Sequence, residues 1–188
     1  MKIATYNING VKARLPRLKE WLAETRPSVA CLQEIKSQDE GFPAGELEEL
    51  GYHVLTHGQK AFNGVAILTD REAGYEPPSE VQRGLGIDGP KEGEGEQARY
   101  LEVDVTKAGN APTRIVCIYL PNGNPHPGPK FDYKLGVSVR QVDAHNPGRK
   151  PPACNRISGQ DGEASRPHGN DLVRGSAGGG GRRLQRHP

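Results

Sequence analysis

The chain has 188 residues, 34% of them hydrophobic, with 25 Lys+Arg against 23 Asp+Glu and three cysteines. That size fits one domain with room for a tail, and so few cysteines exclude a disulfide-stapled scaffold. The net charge of +2 joins two unlike pieces: residues 1–135 hold 16 basic and 19 acidic residues, residues 136–188 hold 9 and 4.

In chain order, Ile3-Ala4-Thr5-Tyr6-Asn7 is a short apolar run of the kind that forms a buried strand. Met1-Lys2 leads straight into it, so no secretion signal is expected there. Asn9-Gly10 is a turn, and Leu15, Leu18, Trp21 and Leu22 then repeat at helical spacing, with Pro16 tolerable near a helix start. Arg26-Pro27 ends that helix and feeds a second strand, Val29 to Glu34. A short helix is expected from Pro43 or Ala44 to Leu50, with Gly51 as its stop. Tyr52–Thr56 and Val65–Thr69 read as two strands. Residues 84–96, with five glycines and four acids, read as a mobile surface loop. Leu101, Val103 and Val105 alternate as a half-buried strand, and Ile115–Leu120 reads as a buried one ending at Pro121-Asn122-Gly123. Strands mixed with helices in this order give an α/β layered domain. Cys31 and Cys117 fall inside apolar strands and are expected as buried, reduced thiols. No apolar run approaches the roughly 18 residues needed to cross a bilayer, and a soluble cytoplasmic protein is the expectation.

Two strands ending side by side would bring Asn7 and Glu34 together at the mouth of a sheet. Hard oxygen donors gathered there suit Mg²⁺, which takes one or two carboxylates and keeps waters for a phosphate substrate. Lys36 and Lys60 read as solvated, and His53, His57 and His126 show no metal-ligand spacing.

Five segments resemble one family in order and spacing: Thr5-Tyr6-Asn7-Ile8-Asn9-Gly10, Leu32-Gln33-Glu34-Ile35-Lys36, Gly58-Gln59-Lys60, Gly64-Val65-Ala66-Ile67-Leu68 and Tyr119-Leu120-Pro121-Asn122-Gly123. Together they resemble exodeoxyribonuclease III and the AP endonucleases of the endonuclease/exonuclease/phosphatase superfamily, over residues 1–135. The resemblance implies a four-layered α/β sandwich, two sheets face to face with helices outside. It implies hydrolysis of phosphodiesters in double-stranded DNA at abasic sites and from 3′ ends, with Mg²⁺ as cofactor, Mn²⁺ as a substitute, and a monomeric enzyme. Carried over by position, Glu34 is a metal ligand and Asn7 helps place the metal and the scissile phosphate. Tyr119 donates a hydrogen bond to the phosphate, and Arg99 and Asn122 stand near the DNA backbone.

The chemistry suits these residue types. A metal ion offsets the anionic charge that makes a phosphodiester inert, and phenol and amide donors hold its geometry. A base for the water and a group to ease departure of the 3′ oxygen are also required. The family draws these from a second half, with a Gly-Asp-x-Asn strand end and a closing Ser-Asp-His. No such strings follow Leu135.

Residues 136–188 contain no Phe, Trp or Tyr, no apolar periodicity, and ten glycines. That composition predicts disorder, and a frameshifted or degraded end is the expected origin. A first sheet lacking its facing sheet would leave an apolar face bare, so poor folding and an inactive chain are expected. Two other readings stay open: a non-catalytic DNA- or partner-binding fragment, and a superfamily phosphatase with a non-DNA phosphoester.

Overall fold

The computed structural model describes residues 1–144. Strand β1 (Ile3–Asn7) leads into α1 (Val11–Thr25), then β2 (Val29–Gln33), α2 (Ala44–Glu48), β3 (Tyr52–His57) and β4 (Val65–Asp70). Next come β5 (Ser79–Arg83), β6 (Tyr100–Val105), β7 (Thr113–Ile118) and α3 (Pro129–Ala144). A four-stranded sheet has the order β1-β2-β4-β3, and a three-stranded sheet the order β5-β6-β7. β1 and β2 are parallel, which requires a crossover, and α1 supplies it. The remaining pairings are antiparallel.

Side-chain alternation divides the central strands between two cores. Ala30, Leu32, Ala66 and Leu68 face outward and are sealed by Leu18 and Leu22 of α1 and Leu47 of α2. Val29, Cys31, Val65 and Ile67 face inward and meet Leu101, Val103, Ile115 and Cys117 of the second sheet. The expected layering of helices, sheet and facing sheet is therefore present. Cys31 and Cys117 are free, buried thiols of the inter-sheet core.

Three expectations need correction, and one strand was missed. The first sheet is not bare, because β6 and β7 cover its inner face; what remains open is a strip along β1, where Ile3 is 52% exposed. Pro16 lies in the second turn of α1 rather than near its start, since the helix begins at Val11. Burial of Val11, Leu18 and Leu22 outweighs the backbone bond that proline removes. Strand β5 carries a single apolar residue, Val81, itself exposed, so it gave no periodic signal. Finally, structure does not stop at Leu135. α3 runs on to Ala144, with Tyr133 and Val137 buried one turn apart despite Gly136 between them. The rest of the expected disordered tail, from residue 145, lies outside the described residues. Among the described residues no helix is long and apolar enough to cross a membrane.

Candidate active site

Parallel pairing in register places Asn7 opposite Gln33, so β1 and β2 end together. Glu34 follows at once in a left-handed conformation, φ 54°. Asn9, Lys36, Ala61 and Asn63, also non-glycine residues with positive φ, crowd the same end of the sheet. Such backbone is costly and persists only where its surroundings fix it. Here the loops hold one another: Gly10 N–H donates to the Glu34 carbonyl (2.7 Å), Val11 N–H to Ile35 (3.0 Å), and Lys36 N–H to Asn63 (3.0 Å). Gly64 makes this possible. At φ 84° it passes so close to Ile35 that a Cβ would lie 2.5 Å from Ile35 Cγ1.

The result is a fixed carboxylate with three partners from three segments. Asn7 Nδ2 donates to Glu34 Oε1 at 3.2 Å. The Tyr119 hydroxyl, one residue past β7, donates a short bond to the same oxygen. Lys36 Nζ lies 3.2 Å from Oε2. The Tyr119 hydroxyl holds the Glu34 carboxyl below its usual range against the opposing effect of partial burial, and Asn7 and Lys36 add to the lowering. Partial burial, with the bond to Glu34 second, pushes the Tyr119 phenol up. Glu34 is thus an anion and Tyr119 a neutral donor at neutral pH.

Arg99 builds the next layer. Its guanidinium stacks 4.6 Å from the Tyr119 ring centroid and donates to the Tyr119 carbonyl at 3.2 Å. Tyr133 of α3 approaches the same guanidinium at 5.9 Å, and Gln97 accepts from its Nε. A cleft of about 590 Å³ opens over Glu34, Arg99, Tyr119 and Asn122. Asn122 is exposed on its rim, its Oδ1 accepting from Asn124 N–H (3.1 Å) in a turn. The five residues singled out in the sequence therefore converge on one end of the fold. Asn7 touches Glu34 but does not line the cleft itself.

Sequence reading missed three participants. Lys36 is not simply solvated, since it bridges Glu34 and Asn9 Oδ1. Gln97 and Tyr133 are buried supports of Arg99. Gln97 lies two residues before Arg99, but nothing in the local pattern marked it. Tyr133 had no signal either, because its role depends on α3 folding back to Arg99.

Glu34 and the free lone pair of Asn7 Oδ1, which already accepts from Asn9 N–H (3.2 Å), are hard oxygen donors. They fit Mg²⁺, which binds through few protein ligands and keeps waters. Among the described residues no group of three or more His, Cys, Asp or Glu could hold a metal ion. Among the described residues that line the cleft, only Glu34 and Glu94 bear carboxylates. Glu94 is already engaged by Gln97 Nε2 (2.8 Å) and Lys91 N–H (3.2 Å).

Residues 4–154 match the model of the endonuclease/exonuclease/phosphatase family. Exodeoxyribonuclease III of Haemophilus influenzae is 42% identical over 105 residues, which is 56% of this chain and 36% of that protein. A 3′-5′ exonuclease from Neisseria meningitidis is similar in structure, with TM-score 0.63 and 34% identity, over 76% of this chain and 50% of that one. An AP endonuclease from Archaeoglobus fulgidus gives TM-score 0.64 and 31% identity, over 80% and 52%. The chain thus spans a third to a half of the length of these relatives. The extent of the family match and these two solved folds lead to one conclusion: this chain belongs to the endonuclease/exonuclease/phosphatase family.

Proposed function

We propose that the chain carries one side of the active site of a Mg²⁺-dependent DNA phosphodiesterase that acts at abasic sites and 3′ ends. The observation that carries this is the Glu34 carboxylate held between Asn7, Lys36 and Tyr119 at the floor of an open cleft. The names of the relatives, an exodeoxyribonuclease, a 3′-5′ exonuclease and an AP endonuclease, support DNA as the substrate.

In this reading Glu34 and Asn7 hold the cation, with Mn²⁺ accepted in place of Mg²⁺. Bound there, the ion offsets phosphate charge and polarises a phosphoryl oxygen. Tyr119 turns its hydroxyl from Glu34 to a phosphate oxygen. Its raised pKa keeps that proton available as a donor. Lys36 then keeps its bond to Asn9 and gives up its place on Glu34. Arg99, held by Tyr119 and Tyr133, faces the DNA backbone with Asn122. Arginine suits this role because its fork matches phosphate geometry.

Among the described residues, proton transfer to and from the reacting oxygens has no candidate carboxylate in the cleft, given that Glu94 is engaged. We expect the 188-residue chain alone to be inactive. Incision of a duplex oligonucleotide bearing one abasic site, with and without Mg²⁺, tests the reading beside a Glu34→Gln control. Incision lost in the control would place the missing groups within this chain. Incision that persists in the control would remove Glu34 from the site.

A further inference from the structure

Among the described residues two carboxylates line the cleft, and the proposed site uses only Glu34. Glu94 has no part in it. An anion facing an anionic substrate weakens binding, so the placement of Glu94 calls for a physical reason.

Both oxygens of Glu94 turn to protein donors. Oε1 accepts from Gln97 Nε2 at 2.8 Å and Oε2 from Lys91 N–H at 3.2 Å. The backbone holds the carboxylate there. Glu94 N–H donates to the Lys91 carbonyl at 3.1 Å, and Gly89 N–H to the Gly95 carbonyl at 2.6 Å. Gly89 passes so close that a Cβ on it would stand 2.7 Å from Glu94 Oε2 and 3.0 Å from Gln97 Nε2.

The other end of the Gln97 amide meets Arg99. Gln97 is 7% exposed, so both ends of its amide need partners. Its Oε1 accepts from Arg99 Nε while its Nε2 donates to Glu94. One orientation of the amide serves both neighbours, because a guanidinium only donates and a carboxylate only accepts. Arg99 Nη1 goes to the Tyr119 carbonyl at 3.2 Å. Nη2 takes no part in these bonds, and Arg99 lines the cleft. Without Glu94, Gln97 Nε2 would be a buried donor with no partner, a cost that a turn of the amide away from Arg99 relieves. Arg99 would keep its stack on Tyr119 but lose one of the two bonds that set the direction of its fork.

We infer that Glu94 is a positioning residue: through Gln97 it fixes the Arg99 guanidinium for a phosphate oxygen of the DNA backbone. The inference rests on the proposed reading of Arg99 as a DNA contact. A fork held in place loses less freedom on meeting a phosphate than one that must first be ordered.

The test separates the charge of Glu94 from its hydrogen bond. Glu94→Gln and Glu94→Leu remove the same charge, but only glutamine keeps an acceptor for Gln97 Nε2. Glu94 is exposed, so neither substitution threatens the core. Affinity of the full 188-residue chain for a fluorescent duplex with one abasic site is read by anisotropy at fixed salt, in Mg²⁺-free buffer to prevent incision. Glu94→Gln should bind at least as tightly as the parent. Glu94→Leu should bind about fivefold more weakly than Glu94→Gln, the scale of one hydrogen bond. In an Arg99→Ala background that gap should close, since Arg99 carries it. Exchange of the Arg99 Nε–H, followed by NMR without DNA, should be slow in the parent and in Glu94→Gln and faster in Glu94→Leu.

Equal affinities of the two Glu94 variants, where Arg99→Ala alone weakens binding, overturn the inference. So does a gap that persists without Arg99. An Arg99→Ala chain that binds DNA like the parent removes Arg99 from the DNA interface, and the NMR signal then decides the rest. A slow Nε–H that Glu94→Leu releases keeps Glu94 as the residue that positions Arg99. Equal exchange in all three chains overturns it.

Discussion

The molecule has two apolar cores, and they are closed to different degrees. The core between the first sheet and its helices is sealed on every side: Leu18, Leu22, Leu32, Leu47 and Leu68 have no exposed surface. The inter-sheet core frays toward β1 and β7, where Cys31, Ile115 and then Ile3 show 6, 8 and 52% exposure. A helix can cover a sheet by itself, because its apolar stripe is supplied within one short segment. Covering one sheet with another requires strands from distant parts of a chain. The sealed core is therefore where stability resides, and the open one borders the candidate site.

Truncation in the two cores gives the sharpest contrast. Leu68→Ala should cost about 3 kcal/mol by leaving a cavity in the sealed core. Ile3→Ala, on the open strip, should cost less than about 0.5 kcal/mol. Urea unfolding of the two variants measures both. Equal losses would mean that the β1 strip is covered in solution and that the contrast between cores is wrong.

Gly64→Ala should rank next, at about 2 kcal/mol. It adds a Cβ 2.5 Å from Ile35 Cγ1 and places a side chain at φ 84°. The damage should centre on Ile35, whose N–H donates to the Gly64 carbonyl, and on Glu34 beside it. Chemical shifts in the two loops, compared with those of α1, show whether the strain stays at this end.

Much of this end was legible in the sequence. Ile3–Asn7 and Val29–Gln33 are continuous apolar runs, and each stops on a polar residue, so both strands and their shared end could be read from pattern alone. Asn7 and Glu34 then followed from that shared end, and Tyr119 from the family resemblance. Strands β6 and β7 of the facing sheet were legible but not as a cover, because nothing local in Leu101–Val105 states which surface it meets. Strand β5 was hidden by its polarity: Ser79-Glu80-Val81-Gln82-Arg83 is held by its ladder to β6 and by Arg83 ion pairs to Asp39 and Glu80, not by burial. The extension of α3 past Gly136 was hidden by a glycine that the Tyr133–Val137 pair outweighs. Patterns of period two and 3.6 reveal what one element buries. Pairing and packing partners lie beyond them.

At the site the expected effects are smaller and depend on pH. The folded-state pKa of Glu34 is depressed, so folding releases protons as pH rises through its range. The stabilisation is fully present above the ordinary glutamate value and is lost as pH falls through the folded value. Glu34→Gln should remove this contribution, of the order of 1 kcal/mol for a hydrogen-bonded carboxylate that is 19% exposed. Stability of the variant and the parent should therefore converge in acid and diverge toward neutral pH. Parallel curves from pH 3 to 7 would mean that Tyr119 and Lys36 do not hold the carboxylate in solution.

Tyr119→Phe makes the smallest and most local change. It keeps the ring that Arg99 stacks on and removes only the hydroxyl, the largest cause of the Glu34 depression. The Glu34 carboxyl should titrate at higher pH than in the parent. The cost in stability should stay within about 1 kcal/mol, since the oxygen is half-buried and water can replace the phenol. Carboxyl-carbon NMR across the titration reads this directly. A Glu34 that titrates unchanged would place Tyr119 with the open core it extends from, and not with the carboxylate. The candidate site would then rest on the sealed sheet end alone, on Asn7, Glu34 and Lys36.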